Sequence, residues 1–424
     1  MNASPTEEQL QRNLRLYFRY QAASGFLPWL PIFFLYFYER VTLPQALEIS
    51  AVYYLTVVLL EVPSGYLSDR YGRRPTLIMS SIAAICSYAV FIVADSYVEL
   101  LLGQCLLAVF FALKSGSDNS LLYDTLKALG KEGDYVRYEA QSLRIILFFY
   151  AIAAVFGGFS GYVDLRIPYA FALIAALLAL YYCSSFKDPA QERQPTSFTS
   201  QISYCLSSLR DTQLRWLFVF FIAGYTMQHV IAEFNQPLIK LLQIGLFNES
   251  DLSAPVSGLL VAVSMLGGML GTTLSLPLAK RLGVTNLMLL VLVSTTAVVV
   301  AMCLWFHPWV LVFIMFRNLP MALAEAPMLA AIAPRIDSSY RATYLSMQSL
   351  AGRLSFACLL GLLATILQRG DGPQTTDAVR TMTRSDLQLA LVASLVFAAV
   401  TFLILWWRRP DMASAAETGV TPQK

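Results

Sequence analysis

Residues 65 to 74 read Gly-Tyr-Leu-Ser-Asp-Arg-Tyr-Gly-Arg-Arg, and long apolar runs flank them on both sides. An ionised side chain at the centre of a bilayer costs about 3 kcal/mol. We therefore expect these ten residues to form a charged loop, on the aqueous side of a membrane, that joins two membrane-spanning helices.

The composition of the whole chain favours the same environment. Apolar residues make up 57% and charged residues 13% of the 424 residues, with a mean hydropathy of +0.58. Soluble domains have a different balance, and a spanning helix needs about 20 mostly apolar residues. The sequence predicts an all-α membrane protein with twelve spanning helices. The predicted spans are 14–38, 46–68, 75–94, 98–123, 138–163, 167–186, 214–239, 253–279, 286–306, 309–333, 342–367 and 386–407.

The distribution of basic residues predicts the orientation. Most of the 30 Lys and Arg fall on one side of the membrane when both termini are placed inside. We expect a protein of the cell (inner) membrane with cytoplasmic termini, whose first span is retained. The six cysteines are scattered and have no metal-ligand spacing. We expect no metal, no cofactor and no nucleic-acid partner.

The spacing of glycines and charges in residues 65–74 resembles the loop signature between the second and third helices of major facilitator superfamily transporters. The matching positions are Gly65, Asp69, Arg70, Gly72, Arg73 and Arg74. The segment 67–72 has an echo in 278–283, between two later spans. The resemblance implies two pseudo-symmetric six-helix bundles, 1–186 and 214–424, joined by a cytoplasmic linker, 187–213, with a substrate site between the bundles.

Roles for the loop residues follow from this resemblance and from helix chemistry. Gly65 would permit close helix packing and Gly72 the chain reversal. Asp69 would contact the N-terminus of the eleventh span, where helix amides favour a negative charge.

The loop arginines have two readings. Arg70, Arg73 and Arg74 would pair with Asp124 at the end of the fourth span, in a network that stabilises the outward-facing state in the resembled family. Alternatively, they only set the orientation of the chain.

Charges inside the spans of the first half form a second group of candidates. Glu61 is either a proton carrier or an acid that stays ionised, hydrogen-bonded to a neighbouring helix or paired with Arg144. Lys114 and Asp118 are four residues apart on one helix and can neutralise one another. Asp118 is also expected to form a salt bridge with Arg144, with direct substrate contact as the alternative.

The second half of the chain carries a corresponding set of charged residues inside its spans. Glu325 and Arg353 are predicted to meet across the tenth and eleventh spans. Arg317 either binds an anionic group of the substrate or lies along a cavity wall. His229 and Glu233, four residues apart, form either a titrating pair or a structural contact.

Aromatic residues and small residues complete the candidates. Phe26, Trp29 and Tyr225 are candidates for substrate contact, with ordinary packing as the alternative. Residues 157–161 and 267–271 contain GxxxG spacing, which predicts close helix approach across a domain interface or within one bundle.

These observations predict a monomeric secondary transporter that moves a small organic solute by alternating access. Proton coupling is a hypothesis that depends on Glu61, Asp118, Glu233 and Glu325, and efflux is preferred to uptake by symport or uniport. A non-transporting membrane sensor or partner protein is the alternative from another class. Enzyme function is not expected, because the sequence has no clustered acid pair or nucleophile motif, and no phosphate-binding loop indicates ATP as the energy source.

Overall fold

A computed structural model describes residues 5–189, 198–242, 251–369 and 383–410. These ranges contain helices and connecting turns, with no strand. The helices are α1 Glu7–Ser24, α2 Phe33–Tyr38, α3 Leu43–Tyr71, α4 Arg73–Val93, α5 Tyr97–Lys114, α6 Ser117–Ala128, α7 Tyr135–Val163, α8 Ile167–Ser184, α9 Phe198–Ser208, α10 Thr212–Leu241, α11 Ser253–Leu282, α12 Val284–Leu304, α13 Val310–Ile314, α14 Leu319–Ile332, α15 Ser338–Arg369 and α16 Arg384–Trp407.

Within these described ranges, 11 helical segments are long and apolar enough to cross a membrane. Large apolar side chains on their outer faces are exposed, for example Leu59 (65%) and Trp407 (89%). A soluble protein would bury such side chains, whereas lipid accommodates them. The chain is therefore an all-α, multi-pass membrane protein.

The first predicted span, 14–38, is not one helix. Helix α1 ends at Ser24, turns occupy the next eight residues, and α2 begins at Phe33. The segment contains Pro28 and Pro31, which lack the backbone N–H that a continuous helix needs. The prolines thus divide the span that was predicted as one helix.

Two further spans are interrupted. The fourth consists of α5 and α6, separated at Ser115 and Gly116, and Gly116 has a left-handed φ of +75°. The tenth consists of α13 and α14, separated by residues 315–318. Interrupted helices at corresponding positions of two halves are typical of transporter binding sites.

The predicted ten-residue loop is shorter than expected. Helix α3 continues to Tyr71 and α4 begins at Arg73, so that Gly72 alone connects them with a φ of +106°. Gly283 connects α11 to α12 in the same way with a φ of +77°. The two glycines occupy matching positions of the sequence echo, and only glycine adopts this backbone conformation readily.

The chain divides into two compact units. Unit 1 comprises Met1–Gln194, Gly245–Ala262 and Gln368–Thr381, and unit 2 comprises Pro195–Ile244, Val263–Leu367 and Met382–Lys424. These boundaries differ from the predicted division, because the first residues of α11 cluster with unit 1. The core of unit 1 is built around Tyr17, Tyr20 and Leu77, and that of unit 2 around Trp216, Phe220 and Leu287.

Candidate functional site

The turn at Gly72 is held by a residue outside the sequence signature. Asp188, which follows α8, accepts a hydrogen bond from the Arg74 backbone N–H at 2.8 Å. A Cβ added to Gly72 would lie 2.6 Å from Asp188 Oδ2. Burial raises the pKa of Asp188 above its usual value, and the hydrogen bond from Arg74 opposes that rise. Gly72 is therefore required both for its positive φ and for the space that Asp188 occupies.

Only one of the three loop arginines pairs with Asp124. Arg73 Nε lies 3.4 Å from Asp124 Oδ2, and its Nη1 donates to Ser68 Oγ at 2.9 Å. This part of the predicted network is confirmed. Arg74 instead donates to the carbonyl of Ser184 at 3.1 and 2.8 Å, at the C-terminus of α8. Arg74 therefore binds the C-terminus of α8 rather than Asp124, because the last carbonyls of a helix attract cations.

Arg70 is also not part of the Asp124 network. It is exposed, donates to Tyr66 Oη at 2.7 Å, and lies over the rings of Tyr66 and Tyr71. Arg70 lies two positions from Ser68 along α3, about 200° around the helix, and therefore on a different face from Ser68.

The predicted role of Gly65 in close packing is wrong. Gly65 is exposed, and no atom of the described chain lies within 4 Å of the place where its Cβ would be. The side chain of Asp69 lies outside what the structure describes, so its contact with the eleventh span stays a prediction. Glu61 is half-buried in α3, and its carbonyl accepts a hydrogen bond from Ser64 Oγ at 2.8 Å.

The two connecting glycines provide a matched test of the Asp188 contact. Gly72→Ala and Gly283→Ala should both lower the midpoint of thermal unfolding, because alanine at these φ values costs about 1–3 kcal/mol. Gly72→Ala should lower it further, because the new Cβ overlaps Asp188, whereas the described residues leave open space at Gly283. Unfolding of purified protein in detergent, followed by tryptophan fluorescence, measures both. Adding Asp188→Ala should shrink the difference, and an unchanged difference would refute the contact.

A buried polar cluster in unit 1 surrounds Asp118, in the first turn of α6. Asp118 is 7% exposed, and its Oδ2 lies 3.3 Å from Lys114 Nζ. Gln21 on α1 donates to the same oxygen at 3.0 Å and to Tyr17 Oη at 2.8 Å. The backbone N–H of Asn119 donates to Oδ1 at 2.8 Å. The predicted pairing of Lys114 with Asp118 is confirmed, and it bridges the break between α5 and α6.

Arg144 does not join this cluster. It is exposed on α7, and its Nε donates to the carbonyl of Ala140 at 3.3 Å. Lys114 and Gln21 occupy the carboxylate oxygen that Arg144 was predicted to bind. The predicted salt bridge between Asp118 and Arg144 is therefore wrong in this structure.

The aromatic candidates of the first span are surrounded by packing partners. Trp29 is 6% exposed, donates to Tyr88 Oη at 3.2 Å and stacks on Tyr169 at 6.3 Å. Phe26 contacts Phe156 at a ring separation of 6.0 Å. These surroundings favour the packing alternative for Trp29, whereas Phe26 is half-buried and its contact with substrate stays a prediction.

A second candidate site, in unit 2, begins with an aromatic face on α10 and α15. The rings of Tyr225 and His229 stack at 3.8 Å, and Phe356 lies 5.4 Å from His229. The Tyr225 carbonyl lies 2.8 Å from His229 Nδ1, which fixes the ring orientation. Gly352 lies under Tyr225, where an added Cβ would approach the ring at 3.0 Å. Glycine at this position lets α15 pack closely against the Tyr225 ring.

The turn between α13 and α14 lies beside this face. Gln228 Nε2 donates to Asn318 Oδ1 at 3.0 Å, and Asn318 Nδ2 donates to Ser264 Oγ of α11 at 3.2 Å. Arg317, the neighbour of Asn318, is only 8% exposed.

The glycines of residues 267–271 determine how closely this turn approaches α11. A Cβ on Gly271 would lie 2.7 Å from the Leu319 carbonyl, and one on Gly268 would lie 3.4 Å from Asn318 Cβ. This GxxxG stripe therefore packs within unit 2. It makes room for the turn that carries Arg317.

The predicted pairing of Glu325 with Arg353 is wrong. Glu325 is exposed on α14, and the structure records no ion pair for it among the described residues. Arg353 is half-buried on α15. Glu233 is buried in α10, at 4% exposure.

Three polar residues of these sites were missed from the sequence: Gln21, Asp188 and Asn318. Asn318 had a readable signal, because Asn-Leu-Pro inside an apolar run is typical of a helix start. The others are single polar residues without a local pattern.

The described residues contain no group of three or more side chains that could hold a metal ion.

A family model described as Major Facilitator Superfamily matches residues 18–357. No curated protein sequence matches the chain. A solved point mutant of the nucleoside transporter NupG is similar over 95% of this chain and 100% of that chain, with a TM-score of 0.72 and 13% identity. An autoinhibited POT family peptide transporter is similar over 97% and 99%, with a TM-score of 0.70 and 13% identity.

Proposed function

The chain belongs to the major facilitator superfamily and is a transporter, not an enzyme, and from this premise we propose that it exports a small organic solute in exchange for protons. It works by alternating access in the cytoplasmic (inner) membrane, as a monomer with both termini in the cytoplasm. The observation that carries proton coupling is the buried Asp118 cluster at the break of the fourth span.

Asp118 is suited to couple proton binding to movement. Its carboxylate is stabilised by Lys114 and by hydrogen bonds from Gln21 and the Asn119 backbone. Protonation removes the negative charge that attracts Lys114, so that the contact between α5 and α6 weakens and Gln21 on α1 loses its charged acceptor. A proton thereby changes contacts among three helices.

The unit 2 site is the proposed place of substrate contact. Its half-buried rings of Tyr225 and His229 suit a flat or apolar solute, and Gln228 and Asn318 supply hydrogen bonds. The aromatic character of this face supports export of an amphipathic compound. Glu61 and Glu233 are further candidates for proton coupling.

Everted membrane vesicles with an acidic interior test this proposal. A pH-sensitive dye follows proton release on addition of amphipathic cations and small organic anions. We expect a compound-dependent proton flux that Asp118→Asn reduces at least about 100-fold, because the coupling charge is removed. Asp134→Asn, at an exposed acid between α6 and α7, is the matched control and should keep the flux.

The outcomes separate the alternatives. An unchanged flux in correctly inserted Asp118→Asn protein would exclude Asp118 as the coupling residue. Solute uptake by right-side-out vesicles together with protons would reverse the proposed direction. If no compound causes a proton flux and none is transported, the non-transporting alternative gains support.

A further inference from the structure

Arg317 is a buried cation without a counter-charge in the described part of the chain. Arg317 is 8% exposed, and its guanidinium makes no ion pair or hydrogen bond with any described residue. Burying a charge is costly unless it is paired and hydrogen-bonded. A guanidinium held in this way is complementary to an anion that the protein itself does not supply.

The backbone around Arg317 adds to the positive character of this place. Arg317 lies in the turn just before α14, a helix of 14 residues whose second residue is Pro320. The N-terminus of a helix carries a partial positive charge that favours anions. Hydrogen bonds from Gln228 to Asn318 and from Asn318 to Ser264 hold this turn in place, and it packs closely on the glycines of residues 267–271. The cation is thus positioned by rigid elements.

The charges nearby are unevenly distributed. Arg317 precedes Asn318, whose side chain accepts a hydrogen bond from Gln228, the neighbour of His229. Glu233 lies one helical turn from His229 and is the buried acid of α10. Glu325, on α14, is exposed. Arg317 therefore contributes positive charge to the site that no described carboxylate neutralises by contact.

The neighbouring aromatic face restricts the shape of the ligand. Tyr225 and His229 are half-buried and their rings are stacked, whereas the Phe356 ring beside His229 is fully buried. Flat apolar groups stack on such rings, whereas a planar carboxylate matches the fork of an arginine with two parallel hydrogen bonds. A single ligand that carries both groups would use both features.

We propose that the substrate is an organic anion, whose carboxylate binds Arg317 and whose ring or flat apolar part packs on Tyr225 and His229. This inference rests on the proposed transport function and names the substrate class of its unit 2 site. Export of such an anion is also favoured by an inside-negative membrane potential, at about 2.3 kcal/mol per charge for each 100 mV.

Binding in detergent solution tests the proposal without a proton gradient. Isothermal titration calorimetry with the purified full-length protein would compare benzoate with benzamide, its neutral analogue, and with inorganic phosphate. We expect benzoate to bind more tightly than benzamide. Arg317→Gln should weaken benzoate binding about 10- to 100-fold, because a charge-assisted hydrogen-bonded pair is lost. Arg317→Lys should recover part of the affinity, because it keeps the charge without the fork.

Arg335→Gln is the matched control, since Arg335 is exposed at the other end of the tenth span and donates to the Ala331 carbonyl. It should bind benzoate like the unmodified protein. Equal affinity for benzoate and benzamide, or benzoate binding that survives Arg317→Gln, would overturn the proposal. Binding of phosphate alone, or of none of the probes, would also overturn it.

The two proposals fail in distinguishable ways. Benzoate binding lost in Arg317→Gln, together with no proton flux in vesicles, leaves the anion site standing and removes proton coupling. Proton flux driven only by neutral or cationic compounds, without benzoate binding, retains coupled transport and removes the anion assignment.

Discussion

Arg317→Met is expected to raise the thermal stability of the ligand-free protein. The substitution replaces a buried guanidinium, which has no ion-pair partner among the described residues, by a flexible apolar side chain of similar length. A charge inside a membrane-spanning segment costs about 3 kcal/mol, and much of that cost should be recovered. The midpoint of thermal unfolding in detergent, measured by tryptophan fluorescence without added anion, should rise by several degrees.

Arg335→Met provides the comparison, because it removes the same charge from an exposed position of the same span. Its midpoint should change little, in keeping with the small effect of most surface substitutions. A lower midpoint for Arg317→Met would mean that Arg317 stabilises the fold. A residue that costs stability and is needed for anion binding is typical of a functional site.

Gly157→Ala is expected to destabilise unit 1 strongly. A Cβ at this position of α7 would overlap the carbonyl group of Pro28, and backbone cannot move aside as a side-chain end can. The overlapped segment is the irregular stretch between α1 and α2, which is further fixed by a hydrogen bond of 2.6 Å from Ser257 Oγ to the Pro31 carbonyl. Overpacking of this kind costs about 1–3 kcal/mol or more. The thermal midpoint and the yield of folded protein on size-exclusion chromatography should both fall.

Gly65→Ala is the control for helix propensity, because it adds the same methyl group to an exposed site in α3. It should be neutral or slightly stabilising, since alanine favours helix over glycine by about 1 kcal/mol. Equal midpoints for the two variants would contradict the close approach of α7 to Pro28.

Several features were predicted from local sequence because local physics decides them. Long apolar segments must be helical in lipid, where each backbone polar group needs an internal partner. The connection at Gly72 followed from a glycine between charged residues, and the pair Lys114–Asp118 from spacing along one helix. The division of the first span into two helices was not predicted, although Pro28 and Pro31 are unfavourable in a continuous helix.

Contacts between helices were predicted less well. The pairings of Arg74 with Asp124, of Asp118 with Arg144, and of Glu325 with Arg353 each required the rotation of two helices about their axes. A rotation of one residue, 100°, moves a side chain to another neighbour. Two charged residues at the same depth in the membrane can therefore face different neighbours, and the sequence does not specify the rotation of each helix.

The sequence by itself determined that this protein spans a membrane, that its helices turn at Gly72 and Gly283, and that buried charges lie within its spans. The tertiary structure alone decided which partner each charge has: Asp118 is surrounded by Lys114 and Gln21, whereas Arg317 has no counter-ion among the described residues. The physical reason is that hydrophobicity and backbone conformation depend on neighbours in the chain, while the pairing of a charge depends on atoms that only packing brings together.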